Sequence, residues 1–187
     1  MISLIRYFDF VFFKRFIILL LLLYYFPIVY QGVTLPGGRF YSSFLSQHLN
    51  FIQWIRLTIL LVSNQLVHFY GLPSYIEGTQ LLRVYNGEGV EVWLPCLGLG
   101  LMSFWVAFVC AHQRPLSQKI AWCLLGIFAI WLINCFRIAL LLVALQREWK
   151  SHLSLDHHDF FNIAAYVLLA TLFYFFSMAK EHSRVII

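Results

Sequence analysis

Three short motifs contain the residue types that acyl-transfer chemistry needs. A thiolate is a strong nucleophile, an imidazole exchanges protons near neutral pH, and a guanidinium stabilises developing negative charge. Each motif lies inside or beside an apolar run, so a membrane helix must position each of them. The motifs are Pro95-Cys96, Asn134 with Arg137, and His157-His158.

Cys96 is the candidate nucleophile. It follows Pro95, a residue favoured in the first turn of a helix, so the sequence predicts a sulfur near the positive end of a helix dipole. That location, with a cation nearby, favours the thiolate form. A lone membrane cysteine is more often a small buried apolar residue, and this alternative is our interpretation of Cys110, Cys123 and Cys135.

Arg137 is the most informative single residue, since it lies in the middle of an apolar run. A guanidinium near a helix centre costs at least about 2.5 to 3.5 kcal/mol on insertion scales, so it should face a partner or a wet cavity. Snorkelling towards the interface is the alternative. Asn134 lies one turn earlier on the same helix face, where it either supports Arg137 or makes a hydrogen bond between helices.

His157 and His158 are the candidates for general acid–base work or for hydrogen-bond donation to an oxyanion. The alternative is a hydrated pair of side chains at the membrane interface. A metal centre that includes His152 and Asp156 lacks a recognised ligand spacing, so we expect neither a metal ion nor a cofactor.

The composition excludes a water-soluble globule. Of the 187 residues, 61% are hydrophobic and 11% are charged, whereas soluble domains contain about 45 to 50% apolar and about 25% charged residues. The sequence therefore predicts an all-α, polytopic transmembrane helix bundle with four to six spans. The loops are short, so residues 1–187 are expected to form one membrane-embedded domain. The net charge of +5 is spread over loops and segment ends, which favours a role in membrane orientation over nucleic-acid binding.

Four apolar runs, at residues 16–30, 94–111, 120–145 and 160–179, are the predicted spans. A fifth run, residues 51–70, contains Arg56 and other polar residues, so it either crosses the bilayer or lies along its surface. Residues 71–92 are predicted to form a polar loop.

The placement of lysine and arginine orients these spans. Basic residues in the connector 112–119 and in both termini predict a cytoplasmic location for these segments, and the loops 71–92 and 146–159 are then outside. This orientation requires that residues 51–70 do not cross the bilayer completely. Because successive spans run in opposite directions, Cys96, Arg137 and the two histidines then meet near the outer face. Arg137 still lies about 12 Å from the end of its run, since a helix rises about 1.5 Å per residue.

The three motifs, in this order and on one side of the membrane, resemble those of the exosortase/archaeosortase family of membrane cysteine transpeptidases. The resemblance covers a core of about residues 85–176. It is carried by Asn86-Gly87-Glu88-Gly89 leading into Pro95-Cys96, by Asn134-Cys135-Phe136-Arg137, and by His158-Asp159.

The resemblance implies an enzyme that needs no cofactor. Cys96 would attack a backbone carbonyl in the C-terminal sorting tail of an exported protein, which consists of a short motif, an apolar span and a basic end. An acyl thioester would form and pass to a cell-envelope acceptor. Arg137 would assist proton transfer or hold the intermediate, and His158, or His157 in its place, would stabilise the transition state.

The implied location is the bacterial cytoplasmic membrane, with the active site on the extracytoplasmic side. Two other interpretations fit the same residues. One is a non-enzymatic scaffold or assembly partner in a secretion or polysaccharide pathway, in which Arg137 anchors neighbouring helices. The other is a transporter or channel subunit in which Arg137 and Asn134 line an ion path.

Overall fold

A computed structural model describes residues 10–38, 40–147 and 157–182, and the side chains of residues 157–162, 164–165 and 179–182 lie outside that description. Over these ranges the chain forms helices and a small sheet. The helices are α1 (Phe10–Thr34), α2 (Ser43–His48), α3 (Phe51–Phe69), α4 (Leu99–Ala111), α5 (Leu116–Gln146) and α6 (His157–His182), with a 3₁₀ helix at Leu94–Leu97. The strands are β1 (Ser74–Glu77), β2 (Leu81–Val84) and β3 (Gly89–Glu91).

The apolar helices are those of a mostly helical membrane protein. Within the described ranges, α1 with 25 residues and α5 with 31 residues are long and apolar enough to cross a bilayer. Leu99–Ala111 and Tyr166–Met178 are shorter apolar helical stretches, and α3 belongs to neither group. The helical character of the predicted fold is confirmed, while the number of four to six spans stays a prediction.

The predicted span at residues 94–111 is divided into two parts. Leu94–Leu97 forms a 3₁₀ helix, Gly98 follows in the left-handed region at φ +72°, and α4 begins only at Leu99. Glycine adopts this conformation without the penalty that a Cβ atom brings. Cys96 therefore precedes α4 and does not lie in its first turn, which corrects the expected location at the start of a long helix.

Residues 74–91, predicted as part of a polar loop, form a three-stranded antiparallel sheet in the order β1-β2-β3. Apolar and polar residues alternate along Leu82-Arg83-Val84 and Val90-Glu91-Val92, and the apolar members are buried. Asn86 makes the turn between β2 and β3 with a positive φ of 57°. The all-α class is therefore corrected by this sheet, whose strands of three and four residues are too short to give a strong sequence signal.

The described contacts divide the chain into two compact units, and the single-domain interpretation stays a prediction. Unit 1 comprises Met1–Ile52 and Leu99–Ile127, and unit 2 comprises Gln53–Gly98 and Phe128–Ile187. In unit 1, α1 and α4 pack antiparallel, with the Phe16 and Phe104 rings 5.4 Å apart. The Trp105 indole N–H donates to the carbonyl oxygen of Trp122 at 2.8 Å and ties α4 to the first part of α5.

In unit 2, α3 runs parallel to the second half of α5. The Trp131 indole N–H donates to the Thr58 hydroxyl at 3.1 Å, and the Ser63 hydroxyl donates to the carbonyl oxygen of Cys135 at 2.9 Å. The buried residues of α3 recur at helical spacing and form one face. They are Ile52, Arg56, Ile59, Leu60, Ser63 and Val67.

Candidate active site

Cys96 lies in the 3₁₀ helix that connects the sheet to α4. Its N–H donates to the carbonyl oxygen of Trp93 at 2.9 Å, and its side chain is half-buried. The next residue, Leu97, is fully buried and anchors this short helix. Cys96 thus lies in a hydrogen-bonded turn anchored by Leu97, and its side chain remains partly exposed.

Gly98 brings the Cys96 segment against α5. A Cβ atom at Gly98 would overlap the amide nitrogen of Asn134 and would lie 3.3 Å from Cγ2 of Ile130. The Asn134 amide is buried and donates to the carbonyl oxygen of Ile130 at 2.8 Å, so it is fixed in place. The motif of Cys96 and the motif of Asn134 therefore meet, and only glycine fits at their contact.

Arg137 lies on α5 three residues after Asn134, slightly less than one helical turn and about 4.5 Å further along the helix axis. Its side chain is half-buried. Because Gly98 contacts α5 at Asn134, the Cys96 segment lies well below the C-terminal end of α5. The sequence predicted that Arg137 lies deeper in the membrane than Cys96. This difference is smaller than expected, because the chain between β3 and α4 runs along α5 towards Asn134.

The last turn of α5 fixes the sheet that leads to Cys96. The Glu88 N–H donates to Oε1 of Gln146 at 3.1 Å, and Gly87 lies so close that a Cβ atom there would overlap the same side chain. Arg147 donates to the carbonyl oxygen of Tyr70 at 2.8 Å and ties the end of α3 to the same place. These bonds connect one end of the sheet to α5, while the other end continues into the Cys96 turn.

The structure describes only part of the segment that contains the predicted histidines. α6 begins at His157, but the side chains of His157 and His158 lie outside the described residues, as do His152 and Asp156. The meeting of either histidine with Cys96 thus stays a prediction. Cys135 is buried, and its carbonyl oxygen accepts the bond from Ser63.

Arg56 is a polar residue of unit 2 for which no role in the site was predicted. It lies on the buried face of α3 with 8% of its surface exposed, and its Nε has no hydrogen-bond partner among the described residues. Burial lowers the pKa of this guanidinium, and the Glu91 carboxylate on β3 opposes that shift. The signal that identifies it is its helical spacing with apolar residues, four after Ile52 and three before Ile59.

The long apolar helices α1 and α5 are those of a membrane protein, and within unit 2 the segment of the half-buried Cys96 contacts the buried amide of Asn134 through Gly98. The family model described as transmembrane exosortase matches residues 11–175, so the chain belongs to the transmembrane exosortase family. This match confirms the resemblance and extends it beyond the core of residues 85–176 to nearly the whole chain. No curated protein and no solved structure matches the chain.

Proposed function

We propose that this chain is a membrane cysteine transpeptidase that cleaves the C-terminal sorting tails of exported proteins and transfers the cleaved chain to a cell-envelope acceptor. The single observation that supports this most strongly is the contact of Gly98 with Asn134. It holds the Cys96 segment beside the one turn of α5 that carries both an amide and a guanidinium. Membership of the transmembrane exosortase family supports the same reaction class.

The reaction begins with attack of the Cys96 thiolate on a backbone carbonyl carbon of the tail. A carbon–sulfur bond forms and the carbonyl oxygen becomes an oxyanion. The carbon–nitrogen bond then breaks, the amine of the tail leaves with a proton, and an acyl thioester remains on Cys96. An acceptor nucleophile attacks this thioester, gives up its proton, and restores the thiolate. No oxidation or reduction occurs in either half-reaction.

Arg137 supplies positive charge in this proposal. A guanidinium near the thiol favours the thiolate, and near the carbonyl oxygen it stabilises the oxyanion. His158, with His157 as the alternative, stabilises the transition state and exchanges the proton with the leaving amine. Asn134 is a supporting residue, since its amide touches the Gly98 backbone and so sets the position of Cys96.

The proposed orientation places the C-terminal end of α5, the sheet and Cys96 on the extracytoplasmic side of the bacterial cytoplasmic membrane. Arg114, between α4 and α5, and Lys119, in the first turn of α5, support a cytoplasmic location for the opposite end of α5. An exported substrate then meets Cys96 after translocation, while its apolar span is still in the bilayer.

The test uses an exported protein encoded beside this chain whose C-terminus carries an apolar span and a basic end. It is co-expressed with wild type, Cys96→Ala or Cys110→Ala, and its C-terminus is followed by gel shift and mass. Cys110 is the matched control because it is also half-buried but belongs to unit 1. We expect processing to be lost with Cys96→Ala alone, at equal membrane abundance. Equal processing in all three strains contradicts the cysteine mechanism and favours a scaffold.

A further inference from the structure

The two edges of the sheet differ in what covers them. On the β1 edge, Nε2 of His68 lies 3.1 Å from the Ser74 amide nitrogen and 2.8 Å from its carbonyl oxygen. The side chain of α3 thus closes the start of this edge. β3 is the other edge strand, and among the described residues no main-chain group outside β2 forms a hydrogen bond with Gly89 or Glu91.

The hydrogen-bond pattern shows which backbone groups of β3 face outwards. The Val84 N–H donates to the carbonyl oxygen of Glu88, and the Val92 N–H donates to that of Gln80, at 3.0 and 2.7 Å. In an antiparallel ladder alternate residues point to the partner strand. The N–H and C=O groups of Gly89 and Glu91 therefore point away from β2, towards the free edge.

Arg56 lies on the buried face of α3, at a height along α5 close to that of the Gly98 contact. It precedes Ser63 by seven residues, so the two side chains share one face of α3, and Ser63 bonds to Cys135 of α5. Arg56 therefore lies about 10 Å nearer to the N-terminal end of α3 than Ser63 does. Gly98 contacts α5 at Ile130 and Asn134, which is within about one helical turn of the same height.

The Nε–H of Arg56 is buried and has no hydrogen-bond partner among the described residues. Burying a donor without a partner is costly. The Glu91 carboxylate already supplies opposite charge, and it also accepts a bond from Gln80. The main-chain carbonyl of an extended peptide is an acceptor that would satisfy this N–H without adding a second charge.

We propose that an extended segment of the substrate adds to the free edge of β3 as a fourth strand, and that Arg56 donates a hydrogen bond to one of its main-chain carbonyls. This inference rests on the proposed function. Strand addition supplies affinity through main-chain bonds and leaves alternate side chains for recognition. Because β3 is followed after five residues by Cys96, the added strand runs past the nucleophile that cleaves it.

The test distinguishes binding through the main-chain N–H of residue 91 from binding through the Glu91 side chain. Glu91→Ala removes the carboxylate but keeps the outward N–H, whereas Glu91→Pro also removes that N–H and leaves the β2 ladder bonds intact. Ile76→Pro removes an outward N–H from the opposite edge strand β1. Binding of the labelled C-terminal tail of the candidate substrate is measured with full-length Cys96→Ala in nanodiscs, so no turnover is required.

We expect the proline at position 91 to weaken binding by about fivefold to tenfold relative to alanine, the loss of one net hydrogen bond. Arg56→Lys, which keeps the charge and loses the planar fork, weakens binding by about tenfold or more. Ile76→Pro leaves binding unchanged. Equal binding by the two position-91 variants, an equal loss with Ile76→Pro, or no binding at all overturns the inference.

The same variants, made in the chain that keeps Cys96 and assayed for processing, distinguish the two proposals. If processing depends on Cys96 but is unaffected by Glu91→Pro and Arg56→Lys, strand addition fails and the transpeptidase stands. If the tail binds as expected while Cys96→Ala processes it like wild type, strand addition stands and the thioester mechanism fails. The thermal stability of each purified variant is also measured, because a misfolded variant would unfold at a lower temperature.

Discussion

The two compact units use polar groups in different ways. In unit 1 the buried hydroxyls of Thr34 and Ser103 donate to carbonyl oxygens of α1, and aromatic rings such as Phe16 and Phe104 pack between α1 and α4. In unit 2 the described polar bonds also connect side chain to side chain and helix to sheet. Ser63 connects α3 to α5, and the Ser74 hydroxyl connects β1 to Asn64 of α3 at 2.7 Å.

This difference follows from what each unit must do. Apolar helices in a bilayer associate through close packing, and hydroxyls that bond back to helix carbonyls do not disturb it. A reactive site needs directional bonds, because side chains must keep fixed positions within fractions of an ångström. The described bonds between side chains thus lie in unit 2, the unit that contains the proposed nucleophile Cys96.

The largest effect is expected at the glycine that joins Cys96 to α5. Gly98→Ala requires a left-handed backbone at φ +72° and places a methyl group on the Asn134 amide. These two penalties sum to about 2 to 5 kcal/mol. We expect processing to fall by more than about a hundredfold, with reduced thermal stability.

Gly100→Ala is the matched control for Gly98, only two residues later. Its Cβ atom would lie 3.4 Å from the Tyr24 ring, an ordinary contact, and it belongs to α4 of unit 1. Processing with Gly100→Ala should equal that of wild type in the same assay. A similar loss in both variants would contradict the special role of the Gly98–Asn134 contact.

Asn134→Ala tests the other side of that contact. Removing the amide loses its packing against Gly98 and its bond to Ile130, at a cost of about 1 to 3 kcal/mol. The vacated space should also accept a methyl group at position 98, so the double variant Gly98→Ala/Asn134→Ala should cost less than the sum of the single changes. Thermal unfolding of all four chains gives this coupling, and simple additivity would argue against direct contact.

The sequence predicted the apolar helices and the order of the motifs because both depend on local composition. It also predicted that Cys96, Arg137 and the histidines share one side of the membrane, and this stays a prediction. It missed the sheet, since Glu88, Glu91 and the glycines around them are typical of loops, and burial of Val90 and Val92 depends on distant helices.

The local geometry of the site could not be predicted from the sequence either. Pro95 suggested the start of a long helix, whereas the contact of Gly98 with Asn134, 36 positions away, imposes a break before α4. Arg56 looked like one polar residue among several in an uncertain segment. Its significance comes from burial beside Glu91, which belongs to a strand that the sequence did not reveal.

A change in unit 1 should alter stability without altering chemistry. Gly126→Ala would place a methyl group on the Trp105 indole, where α4 and α5 pack closely. The clash costs about 1 to 3 kcal/mol, and the higher helix propensity of alanine returns about 0.5 to 1 kcal/mol. We therefore expect a lower thermal midpoint and lower membrane abundance, but unchanged processing per folded molecule. A fall in processing at equal folded concentration would break the distinction between the two units.

The smallest effect is expected where the sheet meets the end of α5. Gln146→Ala removes the acceptor of the Glu88 N–H, a single bond at an exposed site, and should cost about 0.5 kcal/mol, the low end for one hydrogen bond. Gln146→Glu keeps an acceptor at the same reach and is the matched variant. Hydrogen exchange at residues 84–91 should accelerate with alanine and stay near wild type with glutamate. Because this bond is about 18 Å along α5 from Asn134, processing should fall by no more than about threefold, whereas a loss as large as that of Asn134→Ala would mean that the sheet itself sets the position of Cys96.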